Sequence, residues 1–169
     1  MSIARILRGR TLCFRDDPRL NAPDYPVVGV SWDDAMAYAQ WVGKSLPTEA
    51  QWEYGCRAGT GSVFFFGSEV AKFPSYGNIA DKSYKAAFAG SAGAFEDIDD
   101  KHAVVAPVGD VRFSPNAFGL FDAHGNVFEW CLDWYGPYSP KNNEPGTGLR
   151  LVQGSRNRVS RGGSFINPA

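Results

Sequence analysis

Residues 31–60 read SWDDAMAYAQWVGKSLPTEAQWEYGCRAGT, and this stretch decides the fold. Ser31 followed by Asp34 is a capping box, in which each side chain satisfies a backbone N–H of the other at a helix start. Ala35, Tyr38, Ala39 and Val42 then recur at i, i+3, i+4 and i+7, the spacing of one helical face. Gly43 is free to adopt the left-handed conformation that closes a helix. A second box follows at Thr48 and Gln51. Glu49 sits in its first turn, where the helix dipole favours an anion, and Gly59 stops it. The stretch predicts two short helices in immediate succession.

Composition bounds the rest. A chain of 169 residues with 44% hydrophobic residues fits one domain with a real core. The formal charge of -1 argues against a dedicated nucleic-acid binder, which carries a basic excess. No apolar run approaches the ~18 residues that span a bilayer. Aromatics at 14% argue against disorder. Gly (19) and Pro (11) exceed ordinary usage and point to a loop-rich chain rather than a helix bundle. Cys13, Cys56 and Cys131 are odd in number and lack C-x-x-C spacing, and His102 and His124 are the only histidines, which disfavours a disulfide framework or a zinc site. The opening MSIARILRGR has no apolar stretch of signal-peptide length, so the chain as written reads as cytoplasmic.

Outward from the helices, residues 1–24 read as an irregular lead-in, with a short strand near Arg10–Phe14, and 25–169 as the domain. Val27, Val28 and Val30 suggest a short buried strand. SVFFFGSE (62–69) is either a strand or an aromatic loop. Residues 71–105 predict a long ordered loop, which in a compact domain needs something such as a metal ion to hold it. Glu96–Asp100 (EDIDD) is an acidic cluster or a solvated turn. Val108, Val111 and Phe113 suggest another strand. NVFEWCLDWY (126–135) suits a strand packing large rings on one side. RVSRGGSF (158–165) reads as a last strand, broken at Gly162 and Gly163. Arg150, Arg156, Arg158 and Arg161 read as a solvated strand face. Trp130 and Trp134 read as core, with a ligand groove that also uses Tyr135 and Tyr138 as the alternative.

One segment carries chemistry on its face. Asp122 and Glu129 bracket a Gly125–Asn126 turn. Calcium takes six to eight oxygens from carboxylates and backbone carbonyls in irregular loops, and this segment supplies such a set. It lacks the alternating pattern of an EF-hand. The alternative is that Asp122 and Glu129 cap turns or pair with Arg while Asn126 satisfies loop backbone. G-x-S-x-G and the phosphate-binding P-loop are both absent, so the motifs designate no catalytic residue.

Three blocks together, residues 31–60, PNAFGLFDAHGNVFEWCLDWYG (115–136) and RVSRGGSF, resemble the formylglycine-generating enzyme (sulfatase-modifying factor) family. The resemblance implies an α+β fold, the formylglycine-generating-enzyme variant of the C-type lectin fold, with two short helices, a small antiparallel sheet and much irregular backbone. It further implies two calcium sites. One would use the Asp122 and Glu129 side chains with the carbonyls of Gly125 and Val127. The other would use the Asn78 and Asp100 side chains with the carbonyls of Ile79 and His102.

Enzymes of this family hold copper(I) with two cysteine thiolates, activate O2 and convert a sulfatase cysteine to formylglycine. The first thiolate falls at the position of Asn167 here, and the second would lie beyond Ala169. Soft thiolates suit copper(I), so both sulfurs matter. Cys56 matches a structural cysteine of some members. The family pattern continues past RGGS(F/W) into an Arg-rich strand, so the chain reads as truncated, a fragment of a longer parent with other domains. The expected function is a calcium-stiffened binding or scaffold domain without copper, whose partner is a protein or small-molecule ligand. The alternatives are a true copper- and oxygen-dependent formylglycine generator and a variable ligand-binding lectin-like protein. The related iron-dependent sulfoxide synthases need more histidines than this chain has.

Overall fold

The computed structural model describes residues 18–88 and 93–168. The strand expected near Arg10–Phe14, and Cys13 with it, lie outside the described residues. Helices α1 (Trp32–Trp41) and α2 (Glu49–Arg57) form as their caps dictate. Ser31 and Asp34 complete the first box, and Thr48 and Gln51 the second. Gly43 takes φ +71° just past α1, while α2 ends on Ala58 at φ +46° with Gly59 at +87° behind it.

Strand β1 (Glu129–Trp134) pairs antiparallel with β2 (Arg158–Arg161), matching Glu129 to Arg161, Trp130 to Ser160 and Trp134 to Arg158. The register breaks between Trp130 and Trp134. Helix α2 packs on both strands. The Leu132 N–H donates to Pro47 O at 2.8 Å, tying β1 to the entry of α2. The Arg158 guanidinium lies 3.7 Å from the Trp32 ring centre and 3.5 Å from that of Trp134, clamping α1 to the sheet.

A third helix, α3 (Lys82–Ala87), and a 3-10 turn at Val70–Ser75 stand inside the region expected to be pure loop. Asp81 caps α3 by accepting the N–H groups of Ser83 and Tyr84. The described residues therefore hold three α-helices rather than two.

Other expectations are also corrected. Val27, Val28 and Val30 form no strand, and Val27 is 49% exposed. Pro26 and Gly29 (φ +69°) interrupt that segment, and Val30 O accepts the Trp130 indole N–H instead of a ladder partner. Val108, Val111 and Phe113 lie on tight turns closed by Pro107 O and Asp110 O. Only Phe113 of the three is buried, and Val111 is 98% exposed. On α1, Ala39 is buried while Tyr38 and Val42 remain exposed. Trp130 and Trp134 are half-buried rather than core, and Tyr135 and Tyr138 are exposed.

Of the four arginines expected on a solvated face, Arg156 is exposed and the other three are not. Arg150 is buried against Glu49, Arg158 sits between two tryptophans, and Arg161 pairs with Glu53. SVFFFGSE folds as an aromatic loop, closed by reciprocal backbone bonds between Phe64 and Gly67. Its rings gather with Phe73, Tyr76 and His124. Phe73, Ile79, Ala80, Val105, Ala106 and Phe113 continue the core beside them, at 2% exposure or less.

Candidate metal centre

The segment from Asp122 to Glu129 is irregular backbone held in a fixed shape. Asp122, Gly125 and Asn126 all have left-handed φ, at +56°, +82° and +59°. Asn side chains tolerate that region, and Gly125 has no Cβ to strain. Three backbone bonds pin the loop: Gly125 N–H to Gly162 O (2.7 Å), Asn126 N–H to Asn78 O (2.7 Å) and Phe165 N–H to Asn126 O (3.0 Å).

At one end of this loop, Asp122 Oδ2 accepts the Gly109 N–H at 3.0 Å. Its other oxygen, Oδ1, is buried with no hydrogen-bond partner. Burial raises the Asp122 pKa, with nearby Asp110 adding to the rise against the Gly109 N–H and the Asn126 side chain, which lower it. Glu129, at the start of β1, accepts the Trp52 indole N–H at 2.6 Å. It keeps an open flank to solvent, yet the protein atoms crowded around its carboxyl, with Asp122 beside it, raise its pKa too. Asp122, Val127 and Glu129 share the wall of one open cleft of about 290 Å3.

Of the second predicted set, Asp100 is the residue that meets two others, through their backbone N–H groups. Asp100, 2% exposed, accepts the Ile79 N–H on Oδ2 (2.9 Å) and the His102 N–H on Oδ1 (2.8 Å). Asn78, fully buried, donates its amide to Val104 O (2.7 Å) and Asn126 Oδ1 (3.4 Å), while its own Oδ1 has no partner. Burial pushes the Asp100 pKa up to about 7, with Asp81 and Asp99 adding to the rise against two backbone donors that lower it. In this arrangement Ile79 and His102 meet Asp100 through their N–H groups. The His102 ring turns away to Asp110 at 2.9 Å. Burial and the Arg112 charge lower its pKa.

Sequence reasoning missed Asp81 and Gly77. Asp81 is fully buried and its Oδ2 accepts the Asp100 N–H at 2.5 Å, so it holds the acidic segment in place. Its cap position ahead of Lys82–Ala87 was the available signal. Gly77 lets two backbones touch, since a Cβ there would lie 2.1 Å from His124 O. Nothing in the local sequence marks that approach.

Asn167 folds back on its own turn. Its N–H donates to Ser164 O (2.9 Å), its Oδ1 accepts the Ser164 hydroxyl (2.6 Å), and its carbonyl accepts the Ala80 N–H (2.9 Å). Cys56 and Cys131 are free and buried. Burial pushes their thiols up to about 11 and about 12. Cys56 Sγ lies 3.7 Å from His124 Nε2. Among the described residues, no three His, Cys, Asp or Glu side chains cluster in a metal-binding geometry. What gathers instead is carboxylate and amide oxygen beside irregular backbone, a donor chemistry for hard cations.

Fold and site together define an α+β domain of capped helices on a small sheet, with oxygen-lined loops. The family model described as "Sulfatase-modifying factor enzyme 1-like domain" matches residues 9–169. The chain belongs to this family. It is 41% identical over 150 residues to the formylglycine-generating enzyme of Streptomyces coelicolor, covering 85% of this chain and 43% of that protein. It is 37% identical over 144 residues to the serine/threonine-protein kinase pkn1 of Chlamydia pneumoniae, covering 83% of this chain and 19% of that protein. Among solved structures, PvdO from Pseudomonas aeruginosa superposes with a TM-score of 0.68 at 28% identity, over 88% of this chain and 53% of that one. The chain thus spans less than half the length of its formylglycine-generating relative. Among the described residues, no helix is long and apolar enough to cross a membrane.

Proposed function

We propose that this chain is a calcium-stiffened binding or scaffold domain of the sulfatase-modifying factor family, without copper-dependent oxidation at the Asn167 position. One observation carries the calcium half. Asn78 Oδ1 and Asp122 Oδ1 are buried without a hydrogen-bond partner, and one belongs to each set of oxygens that the family resemblance implies. A buried oxygen left unpaired costs about 1–3 kcal/mol, and two such costs at these positions fit a fold that places a cation there. Asp122 and Glu129 would hold one ion with the Gly125 and Val127 carbonyls. Asn78 and Asp100 would hold the other with the Ile79 and His102 carbonyls, while the N–H groups of those two residues stay on Asp100. Calcium supplies a charge that joins segments distant in sequence and neutralises carboxyls in a dry setting.

The scaffold half rests on Asn167. A carboxamide is a hard donor where the family's enzymes place a soft thiolate, and this one is engaged with Ser164. The match within a protein named for kinase activity, of which the matched segment is only 19%, supports reading the domain as a reusable module. A second reading, copper- and oxygen-dependent formation of formylglycine, draws on the 41% identity to an enzyme of that name.

Two experiments separate these readings. An ion bound only by the folded state stabilises it by about 2.7 kcal/mol at a hundredfold excess over Kd, which for a domain of this size moves Tm by roughly 5–10 °C. Chelator is expected to lower Tm by that order and Glu129→Gln to remove most of one site's share; an unchanged melting curve contradicts the calcium reading. Incubation with copper(I), O2 and a cysteine-containing sulfatase-motif peptide is expected to leave the peptide unaltered. An aldehyde on that peptide overturns the scaffold reading.

A further inference from the structure

We infer that the two cation sites form one coupled unit, so that filling either tightens the other, with Asn126 as the residue that joins them. This rests on the calcium reading above. The connection is a relay of two peptide groups. The Gly125 carbonyl, assigned to the first ion, belongs to the same rigid peptide as the Asn126 N–H. That N–H donates to Asn78 O at 2.7 Å. The Asn78 carbonyl in turn shares a peptide with the Ile79 N–H, which donates to Asp100 Oδ2 at 2.9 Å. Aiming the Gly125 oxygen at one ion therefore sets the plane that places the Asn78 peptide and, through it, the Asp100 carboxylate.

The contact has no slack. A Cβ on Gly125 would lie 2.1 Å from Asn78 O, so the two backbones already touch at full closeness. A Cβ on Gly77 would meet His124 O at the same 2.1 Å, which makes the contact two residues long on each side. The Asn126 side chain adds a second bridge. Its Oδ1 takes the Asn78 amide at 3.4 Å and the Ala106 N–H at 2.9 Å, and its Nδ2 donates to Ala106 O at 3.2 Å. At 2% exposure Asn126 is locked on every polar atom, so a shift on one side cannot be absorbed there.

Ordering this shared contact is one cost common to both sites. The first ion meets it, and the second binds to a loop already in place, which gives positive cooperativity. The first ion's charge is offset by Asp122 and Glu129 and the second's in part by Asp100, which reduces the repulsion between them.

The test is calorimetric titration of chelator-treated protein with calcium, for wild type, Glu129→Gln and Asp100→Asn. Each variant is expected to keep one site, weakened relative to the same site in wild type with its neighbour filled, by a factor in the range of about 5- to 150-fold. Linkage requires the two factors to agree. In Asn126→Ser, which removes the side-chain bridge and leaves the backbone relay, the cooperativity of the isotherm is expected to fall without vanishing while two ions still bind. Two sites whose affinities stay within twofold across the variants overturn the coupling and leave the calcium reading intact. A single ion in wild type also overturns the coupling, and no heat with any protein overturns both.

Discussion

Replacing Gly77 with alanine probes the contact on which both sites depend, without touching any proposed ligand. The added methyl would stand 2.1 Å from the His124 carbonyl oxygen, with its carbon at 3.2 Å and the Phe73 ring at 3.2 Å. Ordinary contact needs more than 3 Å, so the 77–78 and 124–126 backbones must part by roughly 1 Å. The Asn126 N–H to Asn78 O bond is 2.7 Å long, and such a shift takes it to the limit of hydrogen bonding. A buried donor and acceptor that lose each other cost about 1–3 kcal/mol apiece. The expected destabilisation is therefore about 2–5 kcal/mol, a large fraction of the roughly 5–15 kcal/mol that holds a domain together. Urea unfolding in saturating calcium, followed by tryptophan fluorescence, reads it as a lower midpoint with unchanged slope. Gly61→Ala is the control, because a Cβ there meets nothing within 4 Å. A Gly77→Ala loss below about 1 kcal/mol would refute the close approach and the argument built on it.

Further outcomes follow from the same structure. The thiols of Cys56 and Cys131, raised to about 11 and about 12, are protonated at pH 8, so peptide mapping should find them unlabelled by a thiol reagent until the protein is unfolded; rapid native labelling of either contradicts this. Burial lowers His124 from 6.5 to about 4, so the unfolded chain binds the extra proton first and stability falls as pH drops from about 6.5 to 4. That loss amounts to about 3 kcal/mol at most, and His124→Gln in chelator should flatten the slope in that window; an equal slope speaks against it. Glu49→Ala strips the partner from Arg150, which is buried to 4% side-chain exposure, and should cost about 3–5 kcal/mol by calorimetry. A cost under about 1 kcal/mol would show the pair to be dispensable.

What was legible followed from distance along the chain. The two helix starts rest on bonds between residues three apart, so Ser31–Asp34 and Thr48–Gln51 could be read directly. Strands β1 and β2 were legible from aromatic and β-branched content beside a Gly–Gly stop. The valines at 27–30 and 108–111 misled because strand preference expresses packing against partners, which turns at Pro26, Gly29 and Gly109 withhold. The arginines misled for the opposite reason. Arg150 and Arg161 meet Glu49 and Glu53, 101 and 108 residues away in sequence. The Asp122–Glu129 loop could be singled out as a candidate cation site because its carboxyls and its turn are contiguous. Ile79 and Asp100 meet across 21 residues that hold an unforeseen helix, and only the family resemblance joined that region into one set. The Asn78–Asn126 contact belongs to tertiary packing alone.

The most direct test of the central claim is a count of bound ions. Native mass spectrometry of the folded chain is expected to show two calcium ions per chain after dialysis against calcium and none after dialysis against chelator. One ion should be lost in Asp122→Asn and the other in Asp100→Asn. A wild-type mass that shows no calcium under either condition contradicts the claim that Asn78 Oδ1 and Asp122 Oδ1 are left unpaired to receive a cation.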